Sequence, residues 1–266
     1  MNNSELLAEY KNKMKYFNYS KNTIEIYYHY VEKFIEKLNK YSQHIVSNDL
    51  NSYLQSYQYT SISQQNQMIN ALKFLYDKVL NKKYEKIEFE RPRKEKHLPQ
   101  IIDKDELLTK ISKIENIKHK SIISLAYSTG MRVSEVCNLK IEDIDSKRML
   151  IKIVNGKGRK DRFVPLSQNI LELLRTYFKQ YRPKEYLFNG QFSLQYTPTS
   201  CNAIVKKYLG EKYHFHLLRH SCFTHLLESG TDCRIIQKIA GHSNIKTTEG
   251  YTHVSTNLLN KVILPL

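Results

Sequence analysis

The chain has 266 residues, of which 41% are hydrophobic, and carries a formal net charge of +16 at pH 7. This length and apolar content permit one large or two ordinary folded domains and exclude a wholly disordered chain. The positive charge favours a polyanionic partner, because lysine and arginine side chains release counterions when they neutralise phosphates. A basic protein without such a partner is the alternative that charge alone leaves open.

The four cysteines form no Cys-x-x-Cys pair, and each falls in a segment with helical character. They are Cys137, Cys201, Cys222 and Cys233. This arrangement favours reduced thiols in a cytosol over a disulfide framework. The N-terminus lacks an apolar signal core, and no apolar run reaches the roughly eighteen residues that a membrane span requires. We therefore expect a cytoplasmic protein without a membrane partner.

Apolar residues recur at spacings of three and four through the first eighty residues, which predicts a helical unit. One helix is expected to follow Ser20, a second to begin near Ser47, and a third to span about 62–80. These apolar positions are Ile24, Tyr27, Tyr28, Val31, Phe34, Ile35 and Leu38 in the first helix, Leu50, Tyr53 and Leu54 in the second, and Met68, Ile69, Leu72, Leu75, Tyr76 and Val79 in the third, where they are expected to be buried.

Residues 86–103 contain two prolines, many charges and no apolar periodicity. This composition predicts a basic linker, or an exposed charged loop, between a domain at 1–85 and a second at 104–266. The third helix begins with polar, uncharged turns that suit hydrogen bonds to sugar-phosphate or base edges, although a solvated helix start has the same composition. The candidate DNA-contacting residues in these two segments are Ser63, Gln64, Asn66, Arg91, Arg93 and Lys94.

The second domain is predicted to be helical with one β-hairpin. Runs of β-branched and apolar residues at 149–154 and 161–165 flank Asn155-Gly156, a dipeptide that favours a hairpin turn. Helices are predicted near 104–114, 118–128, 168–180, 200–208, 216–228 and 232–239, with Gly230 and Gly241 where helix C-caps would lie. The expected fold class is mainly α with a small β-sheet.

The predicted second domain contains the residue types needed to attack a phosphodiester. A tyrosine phenol has a pKa near 10, so it needs a neighbour that accepts its proton and cations that hold the phosphate. Arginine suits the second task because its planar guanidinium binds two phosphate oxygens and remains charged. The candidate groups are Arg132, Lys157, His216, Arg219, His242 and Tyr251.

Five separated motifs resemble the tyrosine recombinase (phage integrase, Xer-like) family. They are STGMRVSE at 128–135, GKGRKDR at 156–162, HLLRH at 216–220, GHS at 241–243 and GYTH at 250–253. The match is strong over roughly 98–254 and looser over the first ninety residues. The resemblance implies a helical N-terminal core-binding (SAM-like) domain followed by an α+β tyrosine-recombinase catalytic domain with a C-terminal tail that is exchanged between protomers.

The resemblance also implies a role for each motif residue. Arg132 and Arg219 would bind the non-bridging oxygens of the scissile phosphate. His216 would accept the proton of Tyr251, which would form a 3′-phosphotyrosyl bond. His242 would hydrogen-bond the phosphate or orient the nucleophile. These five residues form the implied catalytic centre, together with the lysine of the hairpin.

The remaining motif residues have implied supporting roles. Lys157, between two glycines at the hairpin tip, would protonate the leaving 5′-oxygen, with a solvated turn lysine as the alternative. Lys160 and Arg162 would contact nearby phosphates or face solvent. Glu135 would support the first active-site histidine, or form an ion pair on the helix surface. His220 is interpreted as a helix-packing or polar-network residue.

The implied activity is site-specific DNA recombination without metal, ATP or another cofactor. A metal site at His216 and His220 is disfavoured because no glutamate follows His216 and no third ligand is apparent. The implied partners are double-stranded DNA with inverted half-sites and three further copies of the chain, linked through the apolar tail at 257–266, which could instead pack on its own domain. A topoisomerase IB-like single-duplex strand transferase and a non-catalytic DNA-binding relative are the alternatives.

Overall fold

A computed structural model describes residues 2–38, 41, 44–82, 91–92, 100–154, 161–242, 244–249 and 251. The chain divides into two compact units, Met1–Lys96 and His97–Leu266. This division falls inside the segment 86–103 that we predict to be a linker. Several predicted features lie outside the described residues, namely Arg93, Lys94, the hairpin turn with Lys157 and Lys160, and the tail after Tyr251.

The described part of the first unit consists of helices and one π-helical turn. They are α1 (Asn3–Tyr16), α2 (Lys21–Leu38), α3 (Ser47–Ser56), α4 (Ile62–Phe74) and the turn Leu75–Val79. The three helices expected from periodicity are confirmed, and the positions named above for them are buried except Tyr27, Tyr28 and Leu38, which are partly exposed. Helix α1 was not predicted, although Asn2 and Glu5 form a capping box at its start, with Glu5 N donating to Asn2 Oδ1 at 2.8 Å.

The described part of the second unit consists of helices around a small antiparallel sheet. The helices are α5 (Lys104–Ser112), α6 (Ile117–Thr129), α7 (Val133–Asn138), α8 (Gln168–Tyr181), α9 (Pro198–Leu209), α10 (Phe215–Glu228), α11 (Cys233–Ala240) and α12 (Lys246–Glu249). The strands are β1 (Ile144–Asp145), β2 (Leu150–Ile153) and β3 (Arg162–Pro165), in the order β1-β2-β3. Both predicted hairpin strands and the fold class are confirmed, whereas β1 was not predicted. Across the described ranges, no helix is long and apolar enough to cross a membrane.

The register of the hairpin decides which way Arg162 points. Ile151 lies opposite Val164 and Ile153 lies opposite Arg162. Opposed residues in an antiparallel pair share one face of the sheet, and successive residues alternate between the two faces. Because Ile151, Ile153 and Val164 are buried, Arg162 lies on the buried face. Phe163, between the two inward residues of β3, is exposed.

Two helices of the second unit end at glycines in the left-handed conformation. Gly130 ends α6 and Gly241 ends α11, each with φ of 62°. A Cβ atom at Gly130 would lie 2.5 Å from the ring of Phe223, so glycine is required there for space as well as for its backbone conformation. The chain therefore turns sharply just before Arg132 in one case and just before His242 in the other.

Candidate active site

Tyr251 lies just after α12, in a buried cluster of aromatic rings. Its backbone N–H donates to the Thr248 carbonyl at 3.0 Å, and the residue is 4% exposed. The ring centroids of His220 and Phe223 are each 5.6 Å from that of Tyr251. The His242 ring is nearly parallel to it, at 14° and 6.4 Å. The last turn of the described chain thus packs the predicted nucleophile against α10 and the C-terminal end of α11.

Burial shifts the pKa values of Tyr251 and of the predicted base His216 in opposite directions. Burial raises the pKa of Tyr251, while the charges of Arg219 and Arg132 act in the opposite direction. Burial, followed by the neighbouring His220 and Arg219, lowers the pKa of His216 to about 4, so this imidazole is neutral at pH 7. A neutral imidazole can accept the phenol proton, whereas an imidazolium cannot.

His220 is closer to the chemistry than the sequence indicated. Its ring contacts that of His216, with centroids 4.6 Å apart, and also contacts Tyr251. Its Nδ1 atom is buried and has no hydrogen-bond partner among the described residues. The predicted packing role is therefore incomplete, because His220 contacts both the predicted base and the predicted nucleophile.

Arg219 is almost fully buried, with 2% exposed, and is held by backbone carbonyls. Its Nη1 donates to the Gly130 carbonyl at 2.5 Å, and its Nη2 donates to the Ala240 carbonyl at 2.7 Å. Nη2 also lies 3.0 Å from Nε2 of His242, and the guanidinium carbon lies 4.7 Å from the centre of the Phe223 ring. A guanidinium has five N–H groups, so these contacts leave donors for a phosphate.

Arg132 meets Arg219 at the same carbonyl. Arg132 is the N-cap residue of α7, and its Nη2 approaches the Ala240 carbonyl at 3.4 Å. Burial, followed by the charge of Arg132, lowers the pKa of Arg219 to about 10, which leaves Arg219 charged at neutral pH. Two guanidinium groups that converge on one acceptor can bind the same anion.

Glu135 is the counter-charge of this cluster. Its Oε1 accepts from Arg132 Nη1 and Arg162 Nη1, and its Oε2 accepts from Arg132 N and Arg162 Nη2, all at 2.8 Å. Burial raises the pKa of Glu135, but the hydrogen bonds and charges of Arg162 and Arg132 outweigh burial and bring it to about 2. The side chain is only 5% exposed, so the predicted ion pair exists but is buried rather than on the helix surface. In the described structure this carboxylate supports Arg132 rather than a histidine.

Arg162 is not placed as the sequence predicted. Its side chain is 10% exposed, and its Nε donates to the Ile239 carbonyl at 2.8 Å. Together with the two bonds to Glu135, this engages all three guanidinium nitrogens inside the protein. The residue neither faces solvent nor presents its guanidinium as a ready phosphate contact, because the buried carboxylate and the carbonyl are stronger local partners than water.

His242 is oriented by a residue that sequence reasoning missed. Its Nδ1 lies 2.9 Å from Thr248 Oγ1, and its Nε2 lies 3.0 Å from Arg219 Nη2. Because arginine can only donate, Nε2 accepts, and Nδ1 carries the proton of the neutral ring toward Thr248. Thr248 is 1% exposed and lies three positions before Tyr251, a spacing that could have identified it.

The candidate DNA contacts of the first unit are partly engaged with one another. Arg91 is exposed, and its Nη1 and Nη2 donate to Asn66 Oδ1 and Asn70 Oδ1, both at 2.8 Å. Gln64 lies in the first turn of α4, where its Oε1 accepts from the backbone N–H of Thr60 at 2.8 Å. Ser63 is exposed on the first turn of α4, as the prediction of a DNA contact or a solvated start requires.

Comparison with known families and proteins agrees with this geometry. Residues 94–257 match the model of the phage integrase family, and residues 6–86 match that of the phage integrase N-terminal SAM-like domain. A tyrosine recombinase XerA of Pyrococcus horikoshii is 37% identical over 273 residues, covering 98% of this chain and 93% of the relative. A tyrosine recombinase XerC of Staphylococcus epidermidis is 37% identical over 194 residues, covering 67% of this chain and 65% of the relative.

Solved structures show the same fold. The recombinase XerH bound to its difH substrate in a pre-cleavage complex superimposes with a TM-score of 0.70 at 26% identity, covering 90% of this chain and 77% of that chain. The Tn1549 transposon integrase in complex with transposon right end DNA gives a TM-score of 0.71 at 17% identity, covering 96% and 98% respectively, which is evidence for the fold alone. With a family match over more than half of its length and near full-length similarity to XerA, this chain belongs to the phage integrase family and is a site-specific tyrosine recombinase.

Proposed function

We propose that this recombinase cuts one DNA strand at a time through a 3′-phosphotyrosyl bond to Tyr251 and rejoins that strand to a partner duplex. The observation that carries the proposal is the meeting of Arg132 and Arg219 at the Ala240 carbonyl beside the buried ring cluster of Tyr251. Both guanidinium groups retain N–H donors that the described residues do not engage. A phosphate bound there would lie beside the predicted nucleophile.

In the first step the Tyr251 oxygen attacks the phosphorus and its proton passes to the neutral imidazole of His216. The new bond joins the phenol oxygen to phosphorus, and the bond to the 5′-oxygen breaks. Arg132 and Arg219 stabilise the added negative charge of the transition state, because their donors are already oriented and need no rearrangement. Lys157, which lies outside the described residues, is the proposed donor of the proton to the leaving 5′-oxygen.

In the second step a 5′-hydroxyl of the partner strand attacks the phosphotyrosine and releases Tyr251. In each step one phosphoester bond replaces another, so the energy of the broken bond is conserved. The two steps together therefore consume no ATP. The DNA-bound structure of XerH, at 26% identity, supports DNA as the substrate. The named recombinases among the relatives favour this reaction over the topoisomerase-like alternative.

Trapping of the covalent intermediate tests the proposal. Protein is incubated with a nicked suicide substrate drawn from DNA that flanks its own gene, and detergent-resistant adducts are measured for the wild type, Tyr251→Phe and the control Tyr186→Phe. We expect adduct from the wild type and the control, and none from Tyr251→Phe. Specific binding without any adduct would contradict the proposal, as would equal adduct from Tyr251→Phe.

We further propose that four copies act on two sites with inverted half-sites and that the tail after Tyr251 links them. The tail at 257–266 is apolar, and such a surface is costly to leave in water. Deletion of 262–266 should weaken synapsis of two sites while binding to one half-site stays intact, as measured by gel shift at several protein concentrations. Unchanged synapsis after the deletion would contradict the role of the tail.

A further inference from the structure

We propose that Arg162 is a positioning residue that fixes Arg132 and the segment before His242, and that it is not a DNA contact. The inference rests on the proposed function, because it concerns how the phosphate-binding groups are held. Its basis is the set of contacts that Arg162 makes on both sides of its side chain, with Glu135 on one side and the C-terminal end of α11 on the other.

On the first side, Arg162 determines how Glu135 faces Arg132. Its two parallel hydrogen bonds, one to each carboxylate oxygen, fix the plane of the carboxylate. The same two oxygens accept the backbone N–H and the Nη1 of Arg132. Without the paired bonds the carboxylate would be held by Arg132 alone, and the anchor that sets the direction of the Arg132 guanidinium would be weakened.

On the second side, Arg162 packs on the turn that leads to His242. Its Nε donates to the Ile239 carbonyl, and a Cβ atom at Gly241 would lie 2.9 Å from its Cδ. The carbonyl between these two residues, that of Ala240, is the acceptor that Arg132 and Arg219 share. Arg162 therefore contacts the backbone on either side of the group on which both phosphate-binding arginines meet.

These contacts make a direct role in DNA binding unfavourable. Arg162 differs from Arg219 in that its charge is already paired with a carboxylate that is 5% exposed, so a phosphate would have to compete with that carboxylate for it. Removing the partner of a buried charge strongly destabilises the folded protein. A phosphate contact at the surface contributes less, because solvent and salt screen the attraction between the two charges. The chain thus uses Arg162 to connect β3, α7 and α11.

The test compares Arg162→Lys with the matched surface variant Arg148→Lys, whose parent side chain is 79% exposed. Lysine keeps the charge but cannot form the paired bonds to the carboxylate. Three quantities are measured for each: the Kd for one half-site at several salt concentrations, the single-turnover cleavage rate at saturating protein, and the Tm. We expect Arg162→Lys to leave the Kd within about twofold and the salt slope unchanged, while the cleavage rate falls about 100-fold, the range found when one oriented donor is lost.

Each other outcome overturns the inference. A weaker Kd with a salt slope reduced by about one and an unchanged saturated rate would identify a phosphate contact. A parallel loss of rate, Kd and Tm would identify a merely structural residue, and no change at all would show that the contacts do not matter. Cleavage by the wild type and by Arg148→Lys in the same assay separates these results from failure of the proposed function. Side-chain NMR of ¹⁵N-arginine protein adds a readout without cleavage, since the Arg132 Nε–H signal should broaden or average in Arg162→Lys.

Discussion

Arg91 and Arg162 were both predicted as DNA contacts, and both donate paired hydrogen bonds to side-chain oxygens, yet their surroundings differ. Arg91 is exposed and binds the neutral amides of Asn66 and Asn70. Arg162 is nearly buried and binds the charged, buried carboxylate of Glu135. An exposed arginine can exchange amide oxygens for a phosphate at little cost, whereas one paired with a buried carboxylate would leave an unpaired charge behind. The charge of the partner, rather than residue type, therefore decides whether an arginine is available to a phosphate.

The largest expected effect that tests this contrast is the loss of the buried carboxylate. Glu135→Ala leaves the guanidinium groups of Arg132 and Arg162 close together without their counter-charge. We expect the free energy of unfolding to fall by about 3 to 5 kcal/mol, the usual cost of removing one partner of a buried pair. Urea unfolding at pH 7 measures it, with Glu185→Ala as the control because Glu185 is 53% exposed. A loss below about 1 kcal/mol is typical of a surface ion pair, and it would remove the distinction between the exposed Arg91 and the buried Arg162.

The free energy of unfolding should depend on pH through the ionisation of the Glu135 carboxylate. The pKa of Glu135 is lowered from its usual 4.5 to about 2 in the folded protein. A lowered folded-state pKa adds stability that is fully present above pH 4.5 and is lost as the pH falls toward 2. The difference in unfolding free energy between wild type and Glu135→Gln should therefore shrink by about 3 kcal/mol across that window. A difference that stays constant from pH 7 to pH 2 would contradict the ion pair.

A smaller loss of stability is expected from a substitution at Gly241, which packs against the Arg162 side chain. Alanine there is strained because φ is 62°, and its Cβ would meet the Arg162 side chain at 2.9 Å. Gly230→Ala is a matched control, since its φ is 91° but nothing lies within 4 Å of the added atom. We expect Gly241→Ala to lose about 1 kcal/mol more than the control in thermal or urea unfolding. Combining each variant with Arg162→Ala should remove that excess, and an excess that persists would show that Arg162 is not the obstacle.

The smallest effect on stability is expected at the exposed arginine. Arg91→Ala should change the free energy of unfolding by less than about 0.5 kcal/mol, as surface substitutions usually do. If Arg91 contacts a phosphate, DNA affinity should fall uniformly across sequences and the salt slope should decrease by about one. Gel shifts at several salt concentrations measure both quantities. A large loss of stability with unchanged affinity would reverse the roles assigned to Arg91 and Arg162.

Much of the secondary structure was predictable because its signals are local. Helices α2, α3 and α4 follow from apolar spacing, and the strands β2 and β3 follow from apolar runs on either side of Asn155-Gly156. The capping pair Asn2 and Glu5 was also present in the sequence and would have predicted α1. Strand β1 has two residues, too few for any alternation to appear, and it exists because it pairs with β2.

The sequence by itself determined the fold class and, through its motifs, which residues to examine as catalytic. It could not determine the partners of Arg162 and Arg219, because their contacts join positions far apart in the chain. Arg162 reaches Glu135 across 27 positions and Ile239 across 77, and Arg219 reaches Gly130 across 89. Motif spacing therefore identified an arginine in the hairpin strand, while the register of β3 and the packing of α7 and α11 turned it inward. A charged side chain takes its role from the dielectric and the partner it meets, and both are properties of the tertiary structure.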